Sequence, residues 1–208
     1  MTLTQACGHP KAEDRENADF YPTPDPLALA CCKEARELLY WPEIIVEPSA
    51  GSGAFVRAAQ AIWPKVHIIS VEIRPEANAP LSDLEAGAVY TVDFLEFLEH
   101  AGLDKYKSLV IGNPPYSLAQ EHIMACLDYL SPGSHIAFLL KLGFLGTKQR
   151  ANLLWKQGQC KYLCPILGRP SFVKGSCDVN EYGLFIWEVG YDGPMTIKFP
   201  HIRWKGTK

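Results

Sequence analysis

The sequence predicts an α/β fold: a mostly parallel sheet with helices on both faces and an antiparallel strand pair at its C-terminal end. Strands and helices alternate as far as Leu140, which implies parallel strands joined by helical crossovers. Two further strands, Tyr162–Leu167 and Leu184–Val189, follow with no helix between them and so read as an antiparallel pair. The segments of unusual chemistry, 47–53, 72–73, 93–94 and 113–116, all come directly after strands. In such sheets ligands bind beyond the carboxyl ends of the strands.

Taken in order, residues 1–19 are loose and polar, and 20–208 read as one domain without repeat or linker. Phe20-Tyr21-Pro22-Thr23-Pro24-Asp25-Pro26 is a rigid extended segment. It leads into a helix over Leu27–Tyr40, with Asp25 placed as N-cap and Pro26 at the first helical position. Ile44–Val46 is a buried strand that runs into a glycine-bearing loop, followed by a helix over Ala54–Ile62. Val66–Val71 is the next strand and ends at Glu72. Val89–Val92 is the third and ends at Asp93, with a short helix to His100. Leu109–Ile111 is the fourth strand. A helix over Leu118–Leu130 carries Ile123, Leu127 and Leu130 at helical spacing. Ile136–Leu140 is the fifth strand, and Lys148–Gln157 reads as a helix. With the antiparallel pair this makes a seven-stranded sheet, and Met195–Trp204 alternates enough to add an edge strand.

At 208 residues the chain is long enough for one well-packed domain of this class. Hydrophobic residues at 48% and charged residues at 21% are the balance of an ordinary soluble protein. No stretch approaches the ~18 apolar residues of a membrane span, and the polar run from Gln5 to Asn17 lacks the pattern of a signal peptide. The seven cysteines include no CxxC spacing, so they read as reduced, buried thiols in a cytoplasmic protein. Cys7 and His9 lack two further ligands in sequence, and no metal is expected. The net charge of −3 does not announce nucleic acid. Its distribution is more telling: seven acids and no Lys or Arg from Pro75 to Asp104, against seven basic residues and no acid from Tyr129 to Cys177. Such a split suits a protein that turns one edge toward a polyanion.

Asn113-Pro114-Pro115-Tyr116 follows the strand that ends at Gly112. Two prolines stiffen the backbone in an extended form. The Asn113 side-chain oxygen and the Pro114 carbonyl can each accept one N–H of a planar amino or amide group. Tyr116 offers a ring face to stack on the same group. Gly51-Ser52-Gly53 allows a tight turn and close approach to a ligand, and the following helix presents free N–H groups. Glu72, about twenty residues on, stands where an acid would take the hydroxyls of a ribose. The dinucleotide fingerprint would place a third glycine at Val56, and Glu47 beside the loop is unfavourable for a pyrophosphate. A cofactor with an amino group or a sulfonium would welcome Glu47. Asp93 could accept from an adenine amino group, with Phe94 or Ile73 packing on its ring.

These residues carry a family resemblance. Val46-Glu47-Pro48-Ser49-Ala50-Gly51-Ser52-Gly53-Ala54-Phe55 resembles the S-adenosylmethionine (AdoMet) motif of class I methyltransferases. Asn113-Pro114-Pro115-Tyr116 resembles the catalytic motif of adenine-N6 methyltransferases, and Phe20-Tyr21-Pro22-Thr23-Pro24 the extra cofactor motif of DNA adenine methyltransferases. Gly168-Arg169-Pro170-Ser171-Phe172 with Glu181-Tyr182 is similar to a target-site segment of small phage-type members. The resemblance implies a Rossmann-like class I methyltransferase fold and a methyltransferase catalytic domain over 20–208. It implies AdoMet as cofactor and methyl transfer to the N6 amino group of adenine in DNA. It assigns Tyr21, Thr23 and the 50–53 backbone to the methionine part, Glu72 to the ribose, and Asp93 with Phe94 to the adenine. Glu47, Pro48, Ala50, Gly51, Gly53, Phe55, Ile73 and Asn113 complete that half of the site. Asn113, Pro114 and Tyr116 would be catalytic, and Pro115, Tyr116, Lys141, Lys148, Arg150, Arg169 and Phe172 would meet the substrate. An aromatic near the sulfonium would add ~0.5–2 kcal/mol.

Sequence-specific DNA methyltransferases usually carry a separate recognition domain. Here most residues after Tyr116 are needed to finish the sheet. Specificity is then relaxed, read by the loops around Lys141–Arg150 and Arg169–Glu181, or supplied by a protein partner. Adenine-N6 transfer to structured RNA and glutamine methylation of protein use the same motif and stand as alternatives. A non-catalytic binding subunit and a nicotinamide-dependent dehydrogenase are the readings from other classes.

Overall fold

The computed structural model describes residues 22–155, 160–168, 170, 172 and 180–199. The helices are α1 (Asp25–Leu38), α2 (Ala54–Ile62), α3 (Asn78–Ser82), α4 (Phe94–His100), α5 (Ala119–Tyr129) and the single turn α6 (Lys148–Arg150). The strands are β1 (Ile44–Glu47), β2 (His67–Val71), β3 (Gly87–Tyr90), β4 (Ser108–Gly112), β5 (His135–Lys141), β6 (Cys160–Pro165), β7 (Tyr182–Glu188) and β8 (Thr196–Ile197). They form one sheet in the order β3-β2-β1-β4-β5-β7-β6-β8. β1 to β5 are mutually parallel, and β7 runs antiparallel to both β5 and β6.

Alternate residues of each strand face opposite sides of the sheet, and both sides are apolar. Ile45, Ile68, Leu109, Ile111 and Leu139 pack beneath α1 and α2, against Leu27, Cys31, Phe55 and Ala59. Val46, Ile69, Val110, Ile136 and Phe138 pack beneath α4 and α5, against Phe94, Phe97, Ile123 and Cys126. Burial on both faces is why these strands read as unbroken apolar runs.

Several elements differ from the sequence expectation. α1 starts one residue early: Leu27 N and Ala28 N both find the Pro24 carbonyl, at 2.9 and 3.1 Å, so Pro24 is the N-cap residue. Asp25 therefore caps nothing, and its carboxylate takes the Arg57 guanidinium of α2 instead. β3 lies at Gly87–Tyr90 rather than Val89–Val92, pairing with β2 from Ile68↔Gly87 to Val71↔Tyr90. Asp93 thus sits beyond the strand and is the N-cap of α4, its Oδ1 accepting from Leu95 N at 2.8 Å and Glu96 N at 3.3 Å. In place of a regular helix over Lys148–Gln157, α6 passes into a π-helical stretch, Ala151–Trp155; residues 156–159 lie outside the described residues. There the ring of Trp155 stacks on those of Phe185 and Trp187. Of the edge strand expected over Met195–Trp204, Thr196–Ile197 forms β8, parallel to β6, which makes eight strands among the described residues; 200–204 lie outside them.

Candidate active site

The sheet order reverses at β1: the chain moves outward through β2 and β3, then returns to β4 on the other flank of β1. The crevice at that switch point, above the carboxyl ends of β1 and β4, is where an open α/β sheet binds ligands. A cavity of about 830 Å³ occupies it. Thr23, Glu47, Pro48, Ala50, Gly51, Phe55, Glu72, Ile73, Asp93, Phe94, Asn113 and Pro115 all line it. Apart from Thr23, which comes from the segment before α1, these residues meet at one place because each ends or follows a parallel strand.

The loop after β1 is shaped by two glycines in the left-handed region, Gly51 at φ 53° and Gly53 at φ 80°. At Gly53 the left-handed backbone is what calls for glycine, and an added Cβ would also displace the end of the Leu84 side chain, 2.7 Å away. The Ala50 N–H donates to the Val71 carbonyl at 2.9 Å, tying the loop to the end of β2.

Two carboxyls flank this loop with opposite ionisation. Glu47 is 2% exposed. Burial, with the Glu72 charge nearby and despite the Ser49 N–H it accepts, pushes its pKa up to about 8. Glu47 is therefore largely protonated at neutral pH. Burial alone would raise Glu72 too, but hydrogen bonds from Arg74 and Gly51 outweigh it and hold that carboxyl below its usual value. Glu72 Oε1 accepts from Arg74 N at 3.0 Å and Nε at 2.9 Å. Oε2 accepts from Gly51 N at 2.8 Å and the Arg74 guanidinium at 3.0 Å.

Asn113 follows β4, and its Nδ2 donates to Thr23 Oγ1 at 3.1 Å. The extended segment before α1 is thereby joined to the Asn-Pro-Pro-Tyr turn. Pro114 is buried, and Tyr116 is half-buried with its ring 6.3 Å from that of Tyr182. Phe172 is buried against Tyr182 at 5.0 Å, so the three rings form one row beside the turn. The Lys141 ammonium, at the end of β5, lies 4.8 Å from the centre of the Tyr116 ring. Lys148 is exposed. Arg150 folds onto its own segment, donating to the Phe144 carbonyl at 2.7 Å and covering the Phe144 ring. Gly53, Pro114, Tyr116, Lys141, Lys148, Arg150 and Phe172 do not line the cavity itself. Tyr21 and Arg169 lie outside the described residues.

The sequence reading missed the cavity wall supplied by α5 and the residue before it. Leu118 and His122, one helical turn apart, both line the cavity, with Glu121 between them. Leu118 is 42% exposed and Ile73 is 57% exposed, so two aliphatic side chains stand open to the crevice. The signal was the i, i+4 spacing just after the Asn-Pro-Pro-Tyr turn. Among the described residues no group of three or more His, Cys, Asp or Glu could hold a metal ion, and no helix is long and apolar enough to cross a membrane.

No protein-family model matches the chain. Over 104 residues it is 27% identical to the type II methyltransferase M.CvrRI of Paramecium bursaria Chlorella virus XZ-6E, covering 50% of this chain and 26% of that protein. The chain thus aligns with about a quarter of its viral relative. Among solved structures it is similar to a chain of a type I restriction–modification complex (17% identity, 84% of this chain, 43% of the other, TM-score 0.59). It is also similar to an RNA methyltransferase from Salinibacter ruber in complex with S-adenosyl-L-homocysteine (14% identity, 83% and 96%, TM-score 0.51). These likenesses establish the fold as the Rossmann-like fold of methyltransferases.

Proposed function

We propose that the protein is an AdoMet-dependent methyltransferase acting on the N6 amino group of adenine in DNA. The observation that supports this most is the meeting of the Gly51–Gly53 loop, Glu72, Asp93 and Asn113 around one cavity at the switch point. Similarity to the viral type II methyltransferase points the same way. The residues present fit the cofactor. The cavity is in the range of roughly 300–1,000 Å³ that holds ligands of this size. Gly51 lines the cavity without a side chain, Glu72 is an ionised carboxylate whose oxygens would take the ribose hydroxyls in exchange for Arg74 bonds, and Ile73 and Leu118 offer apolar surface to a flat ring.

When bound, AdoMet supplies a methyl group already activated by its sulfonium. The rest falls to the chain. The lone pair of an exocyclic amino group is delocalised into its base. By accepting both N–H hydrogens, Asn113 Oδ1 and the Pro114 carbonyl favour a pyramidal nitrogen with its lone pair aimed across the cavity. Thr23 holds the Asn113 amide, and the two prolines fix the carbonyl beside it. Tyr116 stacks on the base, whose extrusion from a duplex is required for it to arrive. Most of the acceleration comes from positioning, with reacting atoms ~3–3.5 Å apart. The methylated nitrogen, strongly acidic as an ammonium, releases its extra proton to water, so no strong base is needed, in keeping with Asn rather than Asp at 113.

Asn113→Ala should leave the AdoMet dissociation constant within about twofold and lower kcat by at least about a hundredfold. Glu72→Ala should show the reverse split, with weaker AdoMet binding. Calorimetry and a single-turnover assay on the same preparations check both. Full activity in Asn113→Ala would refute the mechanism.

A further inference from the structure

We propose that His122 reads the purine ring of the cofactor, donating a hydrogen bond from Nε2 to a ring nitrogen beside the exocyclic amino group; this rests on the AdoMet reading above. His122 lies on α5, and its backbone N–H donates to the Leu118 carbonyl at 2.9 Å. Its side chain lines the cavity and is 3% exposed. The ring is held against Phe94, with centroids 4.9 Å apart and planes tilted by 56°. Nδ1 is fully buried and has no hydrogen-bond partner. Nε2 makes no hydrogen bond with the described residues either, and it is the ring nitrogen left to meet the cavity. Buried polar groups in native proteins almost always have a partner, whether protein, water or ligand.

The chemistry of that partner follows from the ring and its surroundings. Burial keeps the imidazole neutral, pushing its pKa down to about 4 against the opposing pull of the Asp93 carboxylate. A buried N–H without a partner is rarer than an under-satisfied acceptor. The proton therefore belongs on Nε2, which makes that atom a donor. A carboxylate or phosphate ligand is disfavoured, because the ring carries no charge and Asp93 and Glu121 line the same cavity. A neutral acceptor nitrogen in an aromatic ring fits. Ile73 and Leu118 offer apolar flanks for such a ring, and Asp93, which lines the same cavity, is an acceptor for its amino group.

The test is calorimetric titration with S-adenosylhomocysteine and its 1-deaza and 7-deaza analogues, each of which replaces one ring nitrogen by C–H. The wild-type protein should bind one of the two analogues roughly tenfold more weakly than the parent. His122→Phe keeps the bulk of the ring and removes both nitrogens. It should bind the parent roughly tenfold more weakly and no longer distinguish that analogue from it. His122→Gln, whose amide nitrogen reaches the place of Nε2, should restore the discrimination in part. Equal binding of all three ligands by the wild-type protein, or undiminished discrimination in His122→Phe, would overturn the inference alone. Should His122→Phe not fold, the same comparison is read from His122→Asn, whose shorter amide cannot reach the place of Nε2. A wild-type protein that binds none of the three would overturn the AdoMet reading and the inference with it.

Discussion

Glu47 and Glu72 end neighbouring strands yet differ in charge, because burial outweighs the single Ser49 amide at one while Arg74 and the Gly51 amide outweigh burial at the other. For Glu47 this has a consequence for stability. Its folded pKa of about 8 lies above the ordinary value of 4.5, so between those limits the folded protein holds a proton that the unfolded chain releases. The stabilisation is complete below the ordinary value and is lost as pH rises toward 8. The melting temperature should fall from pH 6 to pH 9 in the wild-type protein and fall less in Glu47→Gln. Parallel profiles from thermal unfolding would show that Glu47 does not titrate in that window. The position of Glu47 beside the glycine loop was legible in the sequence. Its protonation was not, because the wall that buries it comes from β4, remote in sequence. Asn113 was legible because two prolines after an apolar run leave few other conformations. His122 was legible only through its i, i+4 spacing from Leu118, which puts both on one face of α5 without saying that this face meets the cavity.

Gly112 shows how a strand end serves the site. A Cβ there would stand 2.2 Å from Glu47 Oε1, so the last residue of β4 must be glycine for the Glu47 carboxyl to lie across it. Gly112→Ala should cost about 1–3 kcal/mol in denaturant unfolding, the usual penalty of overpacking. Adding Glu47→Ala should recover part of that loss, because the clash is with one side chain. Simple additivity of the two changes would contradict this. Among the elements, β1, β2, β4, β5 and α5 lie close to where the sequence placed them, since each carries a strong apolar period. The elements that shifted answered to contacts that a sequence pattern does not show. Pro24 supplied an acceptor carbonyl one residue before the expected cap of α1. β3 is an edge strand whose register follows its single neighbour, β2. The π-helical stretch places the Trp155 ring on those of Phe185 and Trp187, residues distant in sequence.

At the scale of the whole molecule, the described cations of the basic stretch from Tyr129 to Cys177 do not share one surface. Lys161 lies at the amino end of β6, on the opposite edge of the sheet from the cavity, and pairs with Glu188 at 2.6 Å, with His135 on the same carboxylate. Lys141 and Lys148 are near the cavity end, and Lys141 covers the ring on which the target base would stack. The charge split was legible in composition, but strand direction decided which cations face the site. Whether that site takes DNA is tested most directly by methyl transfer from labelled AdoMet. Duplex DNA, single-stranded DNA, RNA and protein would be offered in parallel, with the product identified by mass spectrometry. N6-methyladenine in DNA is the predicted result. Label in RNA or on glutamine, or no transfer to any of the four, would contradict it.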